Sequence, residues 1–445
     1  MRIVFLRCTV SIAILAVAVC VDTVSAQSTL DRIMATAVPP VEANSLLRDP
    51  ALSGSGAHIV FTTAATNVSP TFSGALNVYR YALATGAIES VSRNAGTGAA
   101  ADGNCFFPAA SMDARFIAFE STATNLGPSS SGLQIFRVDV TNGTVLRASE
   151  SQGGTQGNDQ SRFPAISGDG QRVAFLSFAS NLVAVDNNSR ADIFLKDLNS
   201  GTLEVISRDA TGAFANDNAA ALTAQALSGD ARYVVFPSLA ANMVSGVAGG
   251  TQQIYLRDRT AASTSLVSQS AGGAPGGSQS DQAAISSNGR FVVFRSFASN
   301  LVVGAASRLF VLDRQSGVLA AVPLPLGSVV SPPLSVNATS CRGPRVADNG
   351  DVVMVCEMGA PTPAQAFVWR RSSGQIGLLS RDSASASTVG NALSGALVSI
   401  SNDAQTIAFE SQANNLVSGD GNAAADVFFL APVAAPGLLF SSGFE

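Results

Sequence analysis

One unit recurs along this chain at a period near 58 residues. Pro164-Ala-Ile-Ser-Gly-Asp-Gly-Gln-Arg-Val-Ala-Phe175 returns as Ala283-Ala-Ile-Ser-Ser-Asn-Gly-Arg-Phe-Val-Val-Phe294, and both run on into Ser-Phe-Ala-Ser-Asn-Leu-Val at 177–183 and 296–302. Worn copies place the same anchor at Ser53, Ser111, Ser167, Ser228, Ser286, Ala347 and Ser401, with spacings of 58, 56, 61, 58, 61 and 54. A period of this length built from short strands specifies a propeller or a related closed array.

Each unit reads as four strands. In the third, Phe163–Ser167 is a short apolar strand and Gly168-Asp169-Gly170 a tight turn. Arg172–Phe178 is the second strand and Ile193–Leu198 the third. After Asn199-Ser200-Gly201 comes the fourth, Thr202–Ser207, with alternating polar and apolar residues. Aromatic anchors recur at Phe61, Phe119, Phe175, Phe236, Phe294 and Phe409 on strand two, and at Phe136, Phe194, Tyr255, Phe310 and Phe428 on strand three. They read as core between blades. The expected fold is all-β: a seven-bladed β-propeller of four-stranded antiparallel blades. The seventh unit supplies only three strands, ending at Leu430. The segment 28–34 matches the fourth-strand pattern of 201–207, so the N-terminus is expected to close the last blade.

Residues 1–26 have the three parts of a signal peptide: Arg2 and Arg7, an apolar run from Thr9 to Val21, and Val24-Ser25-Ala26 at the cleavage position. Residues 27–432 are then the propeller and 433–445 a C-terminal tail. The expected compartment is periplasmic or extracellular, with no membrane association once the leader is removed. Losing Arg2, Arg7 and Asp22 takes the formal net charge from −5 to about −6. No basic run exists, so nucleic acid is not an expected partner.

Cys8 and Cys20 leave with the leader, and Cys105, Cys341 and Cys356 remain. Cys341 and Cys356 flank the turn Asp348-Asn349-Gly350, so they face each other on two neighbouring strands and are expected to form a disulfide. Cys105 is equivalent to Cys341; its partner position is read as Glu120, which leaves a free thiol.

The repeat Pro-Ala-Ile-Ser-x-Asp-Gly, Val-Ala-Phe, Asn-Leu-Val and Asp-Ile-Phe-Leu-x-Asp resembles the WD40-like PD40 repeat of TolB-type β-propellers, over roughly residues 41–430. The resemblance implies a propeller without the α/β domain that precedes it in TolB itself. The final Leu438–Glu445 resembles a short tail carried by some exported proteobacterial proteins.

The turns between strands one and two and between three and four are tight, whereas the other two connections are long. Ser151–Arg162, Asp209–Thr223 and Gln269–Gln282 are examples of the long class. One face of the ring is therefore elaborated, and its Gly, Ser, Asn, Asp and Gln suit a polar ligand, a glycan or a protein. Two loops share a sharper pattern: Asp186, Asn188 and Asp192, and Asp420, Asn422 and Asp426, at i, i+2 and i+6. Such oxygens suit calcium, and equally suit Asx turns that fix the loop. The recurring Asn67, Asn125, Asn181, Asn242, Asn300 and Asn415 read as turn residues closing strand two. Asp102, Asp159, Asp217 and Asp281 precede strand one and are candidates for a ring at the channel mouth, where a carboxylate pair could serve acid–base chemistry. Glu120 and Glu410 share a strand-two position, which speaks for structure. His58 is the only histidine, and no nucleophile elbow, phosphate loop or dinucleotide fingerprint occurs.

Three functions follow as expectations. The first is an exported propeller that binds a polar ligand or protein through its long-loop face without catalysis. The second is a polysaccharide hydrolase or lyase using carboxylates at the channel mouth. The third is a calcium-stabilised structural surface protein. Aside from calcium no cofactor is expected.

Overall fold

The computed structural model describes residues 28–432, apart from 38–39, 71–72, 128–131, 328–329, 332–333, 384–387 and 423. The expected leader, residues 1–26, and the expected C-terminal tail, 433–445, lie outside the described residues. Among the described residues all regular structure is β: seven blades of antiparallel strands, with one added parallel strand in the sixth, and a short hairpin of Thr36–Ala37 with Pro40–Val41. In the third blade the strands are Ser161–Ile166, Arg172–Ser177, Asp192–Asp197 and Leu203–Val205, paired in that order. The expected strand positions therefore hold to within a residue or two.

The repeated Ser is buried in every blade that has it, because its hydroxyl closes the first hairpin. Ser167 Oγ accepts the Arg172 N–H at 3.0 Å and donates to Asp169, which in turn accepts the Gln171 N–H. The same geometry recurs at Ser111 with Asp113, Ser228 with Asp230, Ser286 with Asn288 and Ser401 with Asp403. Gly170 ends this turn at φ 69°, and a Cβ there would lie 2.2 Å from the Phe116 ring of the preceding blade. Conformation and packing both exclude a side chain.

These turns also join the blades into a ring. Met112 N–H donates to the Gly168 carbonyl at 2.9 Å, Gly168 to Gly229 at 2.9 Å, and Gly229 to Ser287 at 2.8 Å. Asn288 N–H meets the Asp348 carboxylate at 2.8 Å. Asp348 N–H donates to Asn402, Asn402 to Gly54, and Ser55 to Met112, at 2.9, 2.9 and 2.8 Å. Seven links thus close a belt around the axis.

In six blades the aromatic anchors pair within the blade before they pack between blades; in the sixth, Met354 stands opposite Phe367. Phe175 and Phe194 sit opposite each other across strands two and three with ring centroids 5.9 Å apart, as do Phe236 and Tyr255. Tyr79 completes the set opposite Phe61. Aromatic cross-strand pairs with this offset contribute about 0.5–1.5 kcal/mol beyond the area they bury.

Three blades depart from the rule. The sixth adds Val330–Ser331 to its four antiparallel strands, paired parallel to Ile376–Leu378. The fourth has three regular strands, Tyr233–Ser238, Gln253–Asp258 and Ser263–Leu266; its innermost segment keeps only the bridges Ala219–Ser238 and Leu227–Val234. The seventh combines Ser394–Ile400, Ile407–Ser411 and Asp426–Pro432 with Ser28–Arg32 as its outer strand. Arg32 pairs with Phe428 as Val205 pairs with Phe194, which is the register expected from the 28–34 and 201–207 match.

Arg32 is 4% exposed and holds this closure electrostatically. Its guanidinium contacts Asp420 at 3.0 Å, Asp426 at 3.1 Å and Glu42 at 2.8 Å. Removing one partner of a buried ion pair typically costs about 3–5 kcal/mol because the remaining charge stays uncompensated. Arg32→Met is therefore expected to lower the unfolding free energy by about 3–5 kcal/mol in urea titrations. A loss below about 1 kcal/mol, the size of an exposed pair, would show that the contact does not hold the ring shut.

Candidate functional site

Every regular innermost strand is interrupted by a bulge. In five blades, the residue four before the anchor adopts positive φ: Asp49, Phe107, Phe163, Gln282 and Gly343, with φ between 48° and 60°. A bulge turns one N–H away from the ladder, and a buried N–H needs an acceptor. Here the acceptor comes from the preceding blade. Glu120 receives the Phe163 N–H at 2.9 Å, and Gln282 receives the Gly343 N–H at 2.8 Å. Asp49 accepts the Phe107 N–H as well as the Thr62 hydroxyl at 2.9 Å, and Glu410 accepts the Asp49 N–H. Glu120 and Glu410 are thereby structural acceptors, in keeping with their shared strand position.

The bulges narrow and shape the channel. Between them and the belt of turns lies a cavity of about 350 Å³. Its wall is mixed, somewhat more apolar than polar, with Pro50, Phe107, Pro108, Phe163, Pro164 and Leu222 among its apolar residues. Phe107 and Phe163 stand side by side, centroids 5.3 Å apart. The polar residues of the wall include Asp49, Thr223, Gln225, Gln282, Arg342 and Arg345. The irregular segment of the fourth blade crosses the space: the Gln225 side chain donates to the Ile400 carbonyl at 3.4 Å and accepts the Val346 N–H at 3.2 Å, on the seventh and sixth blades. A cavity of this size suits one small molecule.

The acids expected at the channel mouth are elsewhere. Asp102, Asp159, Asp217 and Asp281 are absent from the cavity wall. Asp102 caps Thr124 through its N–H at 2.7 Å and hydroxyl at 2.6 Å, while Asp281 forms a two-pronged pair with Arg295. Asp159 and Asp217 each accept the N–H of the following residue. They occupy different positions of the unit, and so form no ring. Asp49 is the one carboxylate among the described wall residues. His58 starts strand two of the first blade, away from the cavity.

The recurring asparagine does more than end strand two. Asn181 accepts the Asn158 N–H at 2.9 Å and donates to the Gln156 carbonyl at 2.8 Å, clamping the two long loops of one blade together. Asn67, Asn125, Asn242, Asn300 and Asn415 repeat the clamp. The expectation of a simple turn residue is thus extended.

At the loops expected to suit calcium, the asparagines hold turns. Asn188 points its amide nitrogen at Asp192, 2.8 Å away, and its oxygen accepts the Arg190 N–H; Asn422 does likewise with Asp426 and Ala424. Asp192 also accepts the Ser207 hydroxyl at 2.5 Å, as Gln134 accepts Ser149 and Gln365 accepts Ser380. It is the acidic version of a position that is an amide in those blades. Asp186 Oδ1 is buried without a partner. Asp420 and Asp426 are taken up by Arg32. Among the described residues no group of three or more His, Cys, Asp and Glu is placed to hold a metal.

Cys341 and Cys356 are directly opposite in the sixth blade and are disulfide-bonded. Cys105 is buried and free, and burial pushes its thiol up to about 12. Its cross-strand partner is Ser121, with Sγ 3.2 Å from Oγ, and not Glu120 as equal spacing with the sixth unit implies. The reason is a first hairpin one residue shorter in the sixth blade: Ala347 bonds back from Asp351, whereas Ser111 bonds back from Phe116.

These features define a seven-bladed propeller whose channel holds a mid-ring cavity. No protein-family model matches the chain. No curated protein matches it in sequence. Solved structures match in fold. An oligogalacturonate lyase in complex with manganese shares 13% identity at TM-score 0.53, over 92% of this chain and 94% of that one. The oligogalacturonate lyase of Vibrio parahaemolyticus shares 13% identity at TM-score 0.51, over 91% and 97%. TolB of Acinetobacter baumannii aligns at 16% identity and TM-score 0.41 over 73% of this chain; the match spans 63% of that protein.

Two titrations follow. Burial first, then the Asp49 charge, raise Glu410 from 4.5 to about 7. A carboxyl raised on folding binds protons in the native state, so its contribution is lost as pH climbs from 4.5 to about 7. Glu410→Gln keeps an acceptor for the Asp49 N–H and removes that loss. It is expected to raise Tm at pH 8 and to leave it nearly unchanged at pH 4. Asp192, raised from 3.8 to about 6 chiefly by burial, behaves alike. Asp192→Asn keeps the acceptor for Ser207 but loses the one for Asn188, so its mark is a smaller fall in Tm between pH 4 and pH 8 than in the wild type; excess calcium should leave the wild-type melting curve where it is. A calcium-dependent rise in Tm that Asp192→Asn abolishes would make this loop a cation site instead.

Proposed function

We propose that the protein is an exported, non-catalytic binding propeller that holds a small ligand in its central cavity. The observation that carries this reading is the composition of the cavity wall: a mixed surface, somewhat more apolar than polar, and a single carboxylate among the described residues. Acid–base cleavage of a glycosidic bond needs two carboxyl groups about 5–9.5 Å apart across the substrate. The wall offers Asp49 alone, and its oxygens are engaged by Phe107 and Thr62. Export rests on the leader pattern of residues 1–26. The long-loop face, clamped by its asparagines, is then a rigid rim and not the recognition surface.

The mature chain should be screened against glycans, peptides and small metabolites by thermal shift, with turnover measured for every hit. Binding without turnover is expected. Ala221→Trp places an indole in the cavity from an exposed loop position. It should weaken any hit at least about tenfold, the loss of 1.4 kcal/mol, while leaving Tm within a few degrees. Hits that survive this substitution unchanged would move the site to the outer loops, and turnover of a glycan would restore the enzymatic reading.

A further inference from the structure

The sixth blade breaks the repeat at one position inside the ring. Two residues before the anchor, the other blades carry Ala51, Ala109, Ala165, Ala226, Ala284 and Ser399; the sixth carries Arg345. The backbone accepts either kind of residue there, because Arg345 keeps the usual pairing with Val353, as Ala51 does with Val60. The substitution places an arginine among the residues of the cavity wall, where Ala51 and Ser399 also stand.

Arg345 is only 8% exposed, yet no carboxylate lies within ion-pair distance of it among the described residues. Among those residues its one side-chain hydrogen bond runs from Nη1 to the carbonyl of Pro344, at 2.9 Å. Neighbouring charges are engaged elsewhere: Arg342 pairs with Glu357, and Asp49 is held by Arg48, Thr62 and the Phe107 N–H. Burial lowers the Arg345 guanidinium to about 10, with no neighbouring charge opposing the shift, so it stays protonated at neutral pH. A buried cation without a counter-charge is costly, and a guanidinium presents paired donors that match a carboxylate.

We infer that Arg345 is the anchor of an anion subsite in the cavity, and that the ligand is a small organic carboxylate whose apolar body lies against walls such as those formed by Phe107, Phe163 and Leu222. This rests on the cavity being the binding site. Wall chemistry selects the class: of its two arginines Arg342 is paired with Glu357, which leaves one cation for one carboxylate, and aromatic and proline surface stands by for the remainder.

The test uses the mature chain with benzoate and 1-naphthoate as probes and benzamide and 1-naphthamide as their neutral matches. Calorimetry and thermal shift are expected to show saturable binding of the acids, with the amides roughly tenfold to hundredfold weaker, the range of a charge-assisted hydrogen bond. Arg345→Met should bring the acids down to the affinity of the amides while raising Tm without ligand, since it removes an unpaired buried charge. Arg345→Lys should retain part of the preference. Equal binding of acids and amides by the wild type would overturn the anion subsite and leave the cavity reading standing. Acid binding that Arg345→Met does not weaken would also overturn it. Acid binding that survives Ala221→Trp would place the probes outside the cavity and remove both readings. The comparison of acid and amide on the wild-type protein decides the matter even if Arg345→Met does not fold.

Discussion

The belt of hydrogen bonds between successive first hairpins is the constraint on which the remaining architecture depends. Each blade is a small sheet that could not bury its faces alone. The belt fixes how far apart neighbouring blades stand at the axis, and therefore which side chains fit between them. It also fixes residue choice. A Cβ on Gly229 would come within 2.3 Å of the Ser287 hydroxyl, and one on Gly54 within 2.8 Å of Asn402 and Met112. Where the fifth and sixth blades meet, the link uses the Asp348 carboxylate in place of a backbone carbonyl. The sixth hairpin is the one that is a residue shorter, so its backbone does not reach the usual place.

With the turns held close, the middle of each inner strand has to give way. The bulges do this, and they set the electrostatics of the ring interior. Four of the freed N–H groups draw an acceptor from the preceding blade, which is why the carboxylates Asp49 and Glu120 are buried there and Glu410 is largely so. Their raised pKa values are a consequence of that structural task. A perturbed carboxyl near a channel is ordinarily a pointer to catalysis. Here Glu120 is fully buried, Asp49 is held by three groups, and Glu410 is absent from the cavity wall. The same shifts that would recommend them as acids and bases measure the burial demanded by the fold.

The repeat is legible in the sequence because its signals are local. A Ser-x-Asp-Gly turn, a β-branched run and an aromatic anchor each act within one hairpin. The fourth-strand pattern is equally local, and it is enough to set Ser28–Arg32 in the register it takes against the last blade. What escapes a reading along the chain is whatever depends on the distance between blades. The asparagine clamp joins residues some 23–25 positions apart, such as Asn181 to Asn158 and Gln156, and looks like a plain turn residue in one dimension. Asp102, Asp159, Asp217 and Asp281 look alike because each precedes strand one. They in fact stand 9, 8, 11 and 5 residues before their anchors, the first three in loops and Asp281 inside the strand Ser280–Ile285, so the four have different partners. The partner of Cys105 falls one residue from its expected place for a related reason: equal spacing does not hold across hairpins of unequal length.

Arg345 shows the same limit from the other side. In the sequence it is an ordinary arginine in a worn repeat. Its meaning emerges only when the seven inner strands are aligned by register, so that six small residues and one guanidinium stand at one level of the ring. In a repeat protein the scaffold is specified by what the units share, and each shared feature here has a local or interblade bonding task. Recognition has to come from positions where one unit departs from the others without a structural reason. Three departures are visible at the axis. The shorter sixth hairpin is compensated by Asp348, and the crossing segment of the fourth blade is tied down through Gln225. The guanidinium of Arg345 has no carboxylate among the described residues to compensate it, which leaves the cavity whose wall Arg345 joins as the place where its charge is used.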